Sequence, residues 1–237
     1  MSVKNKVAIV TGAAQGIGAA TAELLAKEGA QVILVDVLAD KGQALAKEIG
    51  GTFVAMDVSE EQVWIDLIDF VESEFGRLDI LFNNAGIIGL GGDFGPQDPE
   101  NCSVKDWDHL HKVNLDSVFL GCKYGIRLMK KTSVKDGGAI INMSSRSGIV
   151  GIPAACAYAS SKAAIRNHTK SVALYCAEKG YNIRCNSLHP GAILTPIWDP
   201  MIGHENETRI EAIKAIESGI PLGHMGEPID VANAVLY

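Results

Sequence analysis

Val7-Ala8-Ile9-Val10-Thr11-Gly12-Ala13-Ala14-Gln15-Gly16-Ile17-Gly18 decides how the chain is read. The first four residues are apolar without alternation, which predicts a strand buried on both faces, as in a parallel sheet. Beyond the glycines, Ala20, Leu24 and Leu25 mark the apolar face of a helix that stops at Glu28-Gly29, and Val32-Ile33-Leu34-Val35 begins a second strand. Strand, glycine turn, helix and strand make a βαβ unit, in which the glycines let backbone approach a diphosphate at a helix N-terminus. The spacing, Gly-x-x-x-Gly-x-Gly, differs from the commoner Gly-x-Gly-x-x-Gly, and a lone glycine cluster reads equally well as a tight turn. The flanking elements and an acid at the end of the second strand favour the nucleotide reading.

That acid is Asp36, twenty residues after Gly16. A carboxylate there accepts hydrogen bonds from the adenosine ribose and repels a 2′-phosphate, which predicts NAD rather than NADP. Gln15 precedes Gly16, and Val37 and Leu38 follow Asp36, so no Arg or Lys is expected nearby to receive a phosphate. The competing reading of Asp36 is a helix cap or turn residue.

The alternation continues with a helix over 41–49, a strand over 52–56, and a helix through Trp64, Leu67, Ile68 and Val71. Between them, Asp57-Val58 falls at a strand's C-terminal end, where Asp57 either meets adenine or starts the next helix. A strand over 79–82 ends in Asn83-Asn84-Ala85-Gly86, small and amide-bearing residues at the same edge. The Gly-, Pro- and Asp-rich segment 89–101 predicts a loop over or beside the site. A long helix over 105–131 follows, with Asn114 in its middle, where an Asn is ordinarily solvated.

Tyr158-Ala159-Ser160-Ser161-Lys162 places a phenol and an ammonium four residues apart. The spacing of Ala163, Ala164, Val172, Ala173 and Ala177 predicts a helix over 158–179, so the two side chains share a face. An adjacent cation favours phenolate and is expected to lower the tyrosine pKa from its usual value of about 10. A hydroxyl of Ser144-Ser145, on the loop leaving Ala139-Ile140-Ile141, is placed to hold a substrate oxygen beside the phenol. Taken alone, such a pair also describes two surface residues on an exposed helix face.

At 237 residues, 47% hydrophobic, the chain has the size of one α/β domain. A formal charge of −7 argues against nucleic acid as the main partner, since phosphate contacts need a clustered basic surface. Cys102, Cys122, Cys156, Cys176 and Cys185 form no Cys-x-x-Cys pair, and reduced thiols in a cytoplasmic protein are expected. The N-terminal residues do not read as a signal peptide, and no apolar stretch approaches the roughly 20 residues needed to cross a bilayer, so no membrane association is expected. His109 and His111 lie two apart, off a shared helix face, and His189 precedes a Pro-Gly turn, so no metal site is expected. Lys123, Arg127, Lys130 and Lys131 cluster late in the long helix, either as a solvated face near its C-terminus or as a dock for an acidic carrier protein.

Thr11-Gly12-x-x-x-Gly16-x-Gly18, Asn83-Asn84-Ala85-Gly86, Asn114, Ser145, Tyr158-x-x-x-Lys162 and Pro190-Gly191-x-Ile193-x-Thr195 stand in the order and spacing of the short-chain dehydrogenase/reductase family, which the whole chain resembles. Within it, Gly121-Cys122-Lys123-Tyr124-Gly125-Ile126, Ile141-Asn142-Met143-Ser144-Ser145 and Ile183-Arg184-Cys185-Asn186-Ser187-Leu188-His189-Pro190 resemble bacterial hydroxysteroid dehydrogenases of the 3β/17β type. The resemblance implies a Rossmann-type, doubly wound α/β fold, its sheet mostly parallel with helices on both faces, and NAD lying across the C-terminal strand edge. It implies Tyr158 as acid/base, Lys162 as its pKa-lowering neighbour and ribose ligand, Ser145 as the substrate-orienting hydroxyl, and Asn114 as holder of a relay water. The implied cofactor set is Gly12, Gln15, Gly16, Ile17, Gly18, Asp36, Asp57, Val58, Asn84, Ala85, Gly86, Tyr158 and Lys162, with Pro190, Gly191, Ile193 and Thr195 at the carboxamide end of the nicotinamide.

Two features depart from the family pattern. The chain stops within what resembles a late helix, so a last strand of the sheet is expected to be missing, and Cys156 beside Tyr158 is either a small packing residue or a reactive thiol. A flap over 197–219 is expected, with Ile197, Trp198, Met201 and Ile202 above the reacting carbon, His204-Glu205-Asn206-Glu207 on its outer face, and Ile210, Ile213 and Ile216 as an inner stripe. The expected substrate is therefore a hydrophobic secondary alcohol or ketone, with 3-oxoacyl-carrier-protein reduction and noncatalytic NAD binding as alternatives. Val118, Leu128, Val172 and Leu174 give the two long helices more apolar surface than one sheet contact covers, and relatives of this kind are commonly homodimers or homotetramers, so self-association is expected.

Overall fold

The apolar runs of the sequence form strands, and every strand pair is parallel. In the computed structural model, which describes residues 2–132, 135, 137–203 and 207–237, β1 (Val7–Thr11), β2 (Gln31–Asp36), β3 (Thr52–Ala55), β4 (Ile80–Asn83), β5 (Gly138–Met143) and β6 (Ile183–Leu188) lie in the order β3-β2-β1-β4-β5-β6. Their pairing registers are continuous, from Val7 opposite Gln31 to Met143 opposite Leu188. The chain winds outward from β1 to β3 and then returns to place β4 beside β1. That reversal opens a crevice at the C-terminal ends of β1 and β4, where an open parallel sheet receives ligands.

The period-two geometry of strands sorts the core into two layers. Ala8 and Val10 face α1 (Gly16–Lys27), α2 (Ala39–Ile49) and a late helix over Pro228–Leu236, packing with Ala22, Leu25, Leu45, Ala46, Val231 and Val235. Val7 and Ile9 face the opposite layer of α3 (Glu61–Phe75), α5 (Ser117–Thr132) and α6 (Cys156–Glu178), packing with Trp64, Leu67, Val71, Leu128, Ile165 and Val172. Burial on both faces accounts for the unbroken apolar runs.

The expected single helix over 105–131 is α4 (Val104–His111) and α5 joined by a π turn, Lys112–Asp116. A residue inserted into the helical ladder shifts the facing, and Asn114 within the turn is fully buried rather than solvated. The expected surplus of apolar surface also needs correction. Val118, Leu128 and Val172 are buried among the sheet-facing residues, and of the four named only Leu174 is exposed, at 65%.

Past β6 the chain forms a 3₁₀ turn, Pro196–Trp198, then α7 (Asp199–Ile202), α8 (Glu207–Glu217) and α9, the late helix Pro228–Leu236. A Cβ on Gly91 would lie 2.9 Å from the Pro200 Cβ, so the loop after β4 meets the start of this segment. Ile202 is buried at 4%, whereas α8 has no fully buried residue: of the expected inner stripe Ile210 is 54% exposed and Ile213 and Ile216 are half-buried. Of the expected polar outer face, His204, Glu205 and Asn206 lie outside the described residues. Among the described residues, no helix is long and apolar enough to cross a membrane.

Candidate active site

Backbone geometry comes first at the sheet edge. Gly12 and Gly16 adopt φ of 64° and 58°, the left-handed region that favours glycine. A Cβ at Gly18 would collide with the Gly12 carbonyl, so the third glycine is what lets α1 start against the turn. Gln15 precedes α1 without a side-chain cap, leaving the helix start open to an anion.

Thr11, which sequence reasoning noted only as part of a motif, joins the two halves of the crevice. Its Oγ1 accepts from the backbone N–H of Asn84 (2.9 Å) and Ala85 (3.0 Å), and the Asn84 amide donates back to the Thr11 carbonyl at 2.9 Å. Gly86 follows, and a Cβ there would stand 3.0 Å from Asn114 Oδ1 and 3.5 Å from Lys162 Nζ. Bare backbone therefore lies against both polar groups.

Asn114 closes onto the chain beyond Gly86. Its Oδ1 accepts from Ile87 N–H at 2.8 Å, and its Nδ2 donates to the Ile87 carbonyl at 2.9 Å and to Ser161 Oγ at 3.4 Å. Lys162 is 3% exposed, and its Nζ donates to the Met143 carbonyl at 2.9 Å. Burial pulls its pKa down from 10.5 to about 8. Ser144 Oγ donates to the Lys162 carbonyl at 2.8 Å, so this hydroxyl is spent on the helix, whereas the Ser145 hydroxyl shares a hydrogen bond with Tyr158.

Tyr158 is half-buried, with the Lys162 ammonium 5.6 Å from its ring centroid. Here the pKa expectation needs correction: burial pushes the phenol above its ordinary value, and a hydrogen bond with Ser145 only partly opposes this. Desolvation weighs on phenolate and ammonium alike, so the cation does not by itself deliver a low phenol pKa. Ser145 Oγ also accepts from Ser147 N–H at 3.1 Å.

Behind Ser145, His189 Nδ1 pairs with the Ser145 carbonyl at 3.3 Å and His189 Nε2 with Ser187 Oγ at 2.9 Å, a support that the sequence reading missed. The Pro190 carbonyl accepts from Arg146 N–H at 2.9 Å, Gly191 is exposed, and Ile193 pairs with Gly226. Thr195 lies 3.3 Å from where a Gly16 Cβ would be, so the 190–195 segment spans from the serine loop to the glycine turn.

Asp36 is 9% exposed, its Oδ2 accepting from Ala14 N–H at 2.9 Å and its Oδ1 from Leu38 N–H at 3.0 Å. The expectation that no cation stands nearby is wrong. Lys41, one turn into α2, reaches back so that its Nζ donates to Gln15 Oε1 at 3.0 Å. Asp57 is exposed and accepts from Ser59 N–H at 2.9 Å, a turn contact, while Val58 is buried. Ile17 is half-buried at the start of α1.

Elsewhere, the late basic cluster is engaged within the chain. Lys123 pairs with Glu61, Lys131 with Glu72 at 3.1 Å, Arg127 stands 5.0 Å from the Tyr124 ring, and Lys130 stands 5.7 Å from that of Tyr181. Cys156 is half-buried and lines, with Cys102 and Trp107, a cavity of about 480 Å³.

Residues 12–237 match a family described as enoyl-(acyl carrier protein) reductase. The NADP-dependent (R)-specific alcohol dehydrogenase of Lentilactobacillus kefiri is 42% identical, over 99% of this chain and 89% of its own. The cyclopentanol dehydrogenase of Comamonas testosteroni is 38% identical over 99% and 90%, and the 3-beta-hydroxysteroid dehydrogenase of that organism 43% over 82% and 74%. Among solved structures, the ligand-free aldohexose dehydrogenase of Thermoplasma acidophilum superposes with a TM-score of 0.86 at 31% identity, covering 99% of this chain and 86% of that one.

Proposed function

The chain belongs to the short-chain dehydrogenase/reductase family, and on that premise we propose that it is an NAD(H)-dependent oxidoreductase interconverting a hydrophobic secondary alcohol and its ketone. The observation that carries the reading is one connected cluster beside the glycine turn: Asn114 and Lys162 both border Gly86, the Lys162 ammonium stands 5.6 Å from the Tyr158 ring centroid, and Tyr158 shares a hydrogen bond with Ser145. A domain that only binds a nucleotide has no chemical need for an aligned phenol and buried ammonium.

The residues fit a nicotinamide dinucleotide. The turn of Gly12, Gly16 and Gly18 offers close backbone approach, Asp36 keeps acceptor lone pairs for ribose hydroxyls, and Gly86 leaves bare backbone against Lys162. Bound there, the cofactor supplies the hydride acceptor or donor. Ser145 donates a hydrogen bond to the substrate oxygen and orients the carbon that reacts. Tyr158 takes the alcohol proton in oxidation and returns it in reduction. Lys162 holds the nicotinamide ribose and keeps positive charge near the phenol, and Asn114, fixed to Ile87 and Ser161, completes a proton relay behind it.

Asp36 underlies the preference for NAD, because its charge faces any 2′-phosphate. The apolar substrate reading rests on Ile197, Trp198 and Met201, which follow directly after the 190–195 segment and meet the loop after β4 through Pro200. Relatives named for cyclopentanol and a hydroxysteroid agree with it, whereas the structural neighbour is named for an aldohexose. The engaged state of Lys123 and Lys131 leaves less charge for docking an acyl-carrier protein.

Initial rates with NAD and NADP over ring alcohols, ketones, acyl thioesters and aldoses, for the wild type and Trp198→Ala, test the reading. Higher kcat/KM with NAD and with ring alcohols is expected, with the ring-alcohol advantage reduced in the variant. Faster turnover of polar polyols, or a preference that Trp198→Ala leaves intact, would sink the apolar pocket.

Self-association is proposed on Phe119 (48% exposed), Leu174 (65%) and Tyr175 (47%), large apolar side chains on α5 and α6 facing away from the sheet. Light scattering at micromolar concentration is expected to give a dimer or tetramer, and a monomer would refute it.

A further inference from the structure

Lys41 stands where cofactor choice is made. The carboxylate of Asp36 is held by two backbone N–H groups, one of them from Ala14, and the residue after Ala14 is Gln15, whose Oε1 takes the Lys41 ammonium at 3.0 Å. Acid and cation thus flank the same stretch of the glycine turn. If Asp36 receives the ribose hydroxyls, a phosphate on the 2′-oxygen lies beside Asp36 and within the neighbourhood of Gln15 and Lys41. Lys41 is exposed, and its ammonium donates to a neutral amide oxygen. A hydrogen bond of that kind at the surface is weakly held, while a phosphate offers a charge-assisted bond about twice as strong. The flexible stem of a lysine lets the ammonium turn from one acceptor to the other.

We infer that Lys41 is a cofactor-specificity residue, which leaves Gln15 to pair with the 2′-phosphate of NADP(H) and so offsets much of the repulsion from Asp36. The inference rests on the nicotinamide reading above and deepens it: the enzyme prefers NAD(H) but accepts NADP(H) as well. Asp40, on the same turn of α2, adds a second opposing carboxylate, so the lysine moderates the preference without inverting it. Sequence order alone points the other way, because the residues adjacent to Asp36 and Gly16 include no cation. The helical turn supplies one from five positions further on.

The test is binding rather than turnover. Wild type, Lys41→Ala and Lys41→Arg are titrated by calorimetry with NADH, NADPH and 2′-AMP, the last carrying the phosphate but no nicotinamide. The NADPH-to-NADH affinity ratio is expected to fall about tenfold or more in Lys41→Ala, the scale of one hydrogen bond to a charged group, and to stay near the wild-type ratio in Lys41→Arg. Affinity for 2′-AMP should fall in parallel, and wild-type NADPH affinity should weaken with salt more steeply than NADH affinity, as an exposed phosphate contact requires. An unchanged ratio in Lys41→Ala, equal loss for both cofactors, or no measurable wild-type binding of NADPH beside clear binding of NADH would overturn the inference. Failure of NADH and NADPH alike to bind would instead overturn the nicotinamide reading that it depends on.

Discussion

Tyr158→Phe is expected to lower kcat about a thousandfold while leaving NADH affinity within a small factor, the range of a lost general acid/base. Phe keeps the ring and its packing at the start of α6, so only the hydroxyl and its bond to Ser145 are removed. The pH dependence carries the sharper signature. Burial raises the phenol above its ordinary pKa, so phenolate is the scarce form at neutral pH and its population grows about tenfold per pH unit below that pKa. Alcohol oxidation, which needs phenolate, should therefore accelerate with pH in the wild type, whereas ketone reduction, which needs the protonated phenol, should not. Lys162, with a pKa of about 8, titrates below the phenol, so its charge is lost first as the pH rises. In Tyr158→Phe the alkaline rise of oxidation should disappear. A variant retaining a substantial share of its rate, with the same pH slope, would require another acid/base.

The layers of the fold were legible because a doubly wound sheet writes itself in unbroken apolar runs separated by amphipathic helices. Val7 to Val10 and Val32 to Val35 are strands buried on both faces, and the glycine turn between them has the backbone geometry that its sequence demands. The pairing of Tyr158 with Lys162 was legible for a different reason, a four-residue spacing that puts both on one helix face. What escaped reading depends on local departures from ideal periodicity. The π turn at Lys112–Asp116 rotates Asn114 from an expected solvated position into the core, and nothing in Val113-Asn114-Leu115 announces an inserted residue. Lys41 was missed because its contact with Gln15 runs between two elements, 26 positions apart, and no adjacency rule reports it.

Side-chain direction was the other blind spot. An apolar residue on a long helix reads the same whether it meets the sheet or a partner, so Val118, Leu128 and Val172 were indistinguishable from Leu174 until the helices were placed. Likewise the helical spacing of Ile210, Ile213 and Ile216 is real, but α8 has no buried residue for that stripe to imply. The tyrosine pKa was misjudged through an omitted opponent. Charge proximity was weighed without the desolvation that accompanies it, and in a site this enclosed desolvation is the larger effect.

Desolvation also makes Lys162 an expected source of instability, and Lys162→Met is the variant that exposes it. The ammonium is fully desolvated, with the Met143 carbonyl as acceptor, and its pKa falls from 10.5 to about 8. A folded-state pKa below the unfolded one means the native state disfavours the proton. Below pH 8 both states carry it and the native state bears the whole penalty, roughly 3 kcal/mol at most. Between about pH 8 and 10.5 the folded protein releases the proton while the unfolded chain keeps it, so wild-type stability rises relative to a chain lacking this group. Methionine fills a similar volume without charge but leaves the Met143 carbonyl unpaired, at a cost of about 1 kcal/mol. The variant should therefore melt several degrees above the wild type at pH 7, by the usual conversion of about 2–4 °C per kcal/mol at this size. That advantage should shrink at pH 9.5, and turnover should fall at least as far as in Tyr158→Phe, because the proposed ribose contact and charge support would be lost together. Melting curves at both pH values decide the matter. A variant less stable than the wild type at pH 7, with a gap that does not change with pH, would mean that the ammonium is well enough solvated by its surroundings to stabilise the fold, and that Lys162 is kept for structure as much as for chemistry.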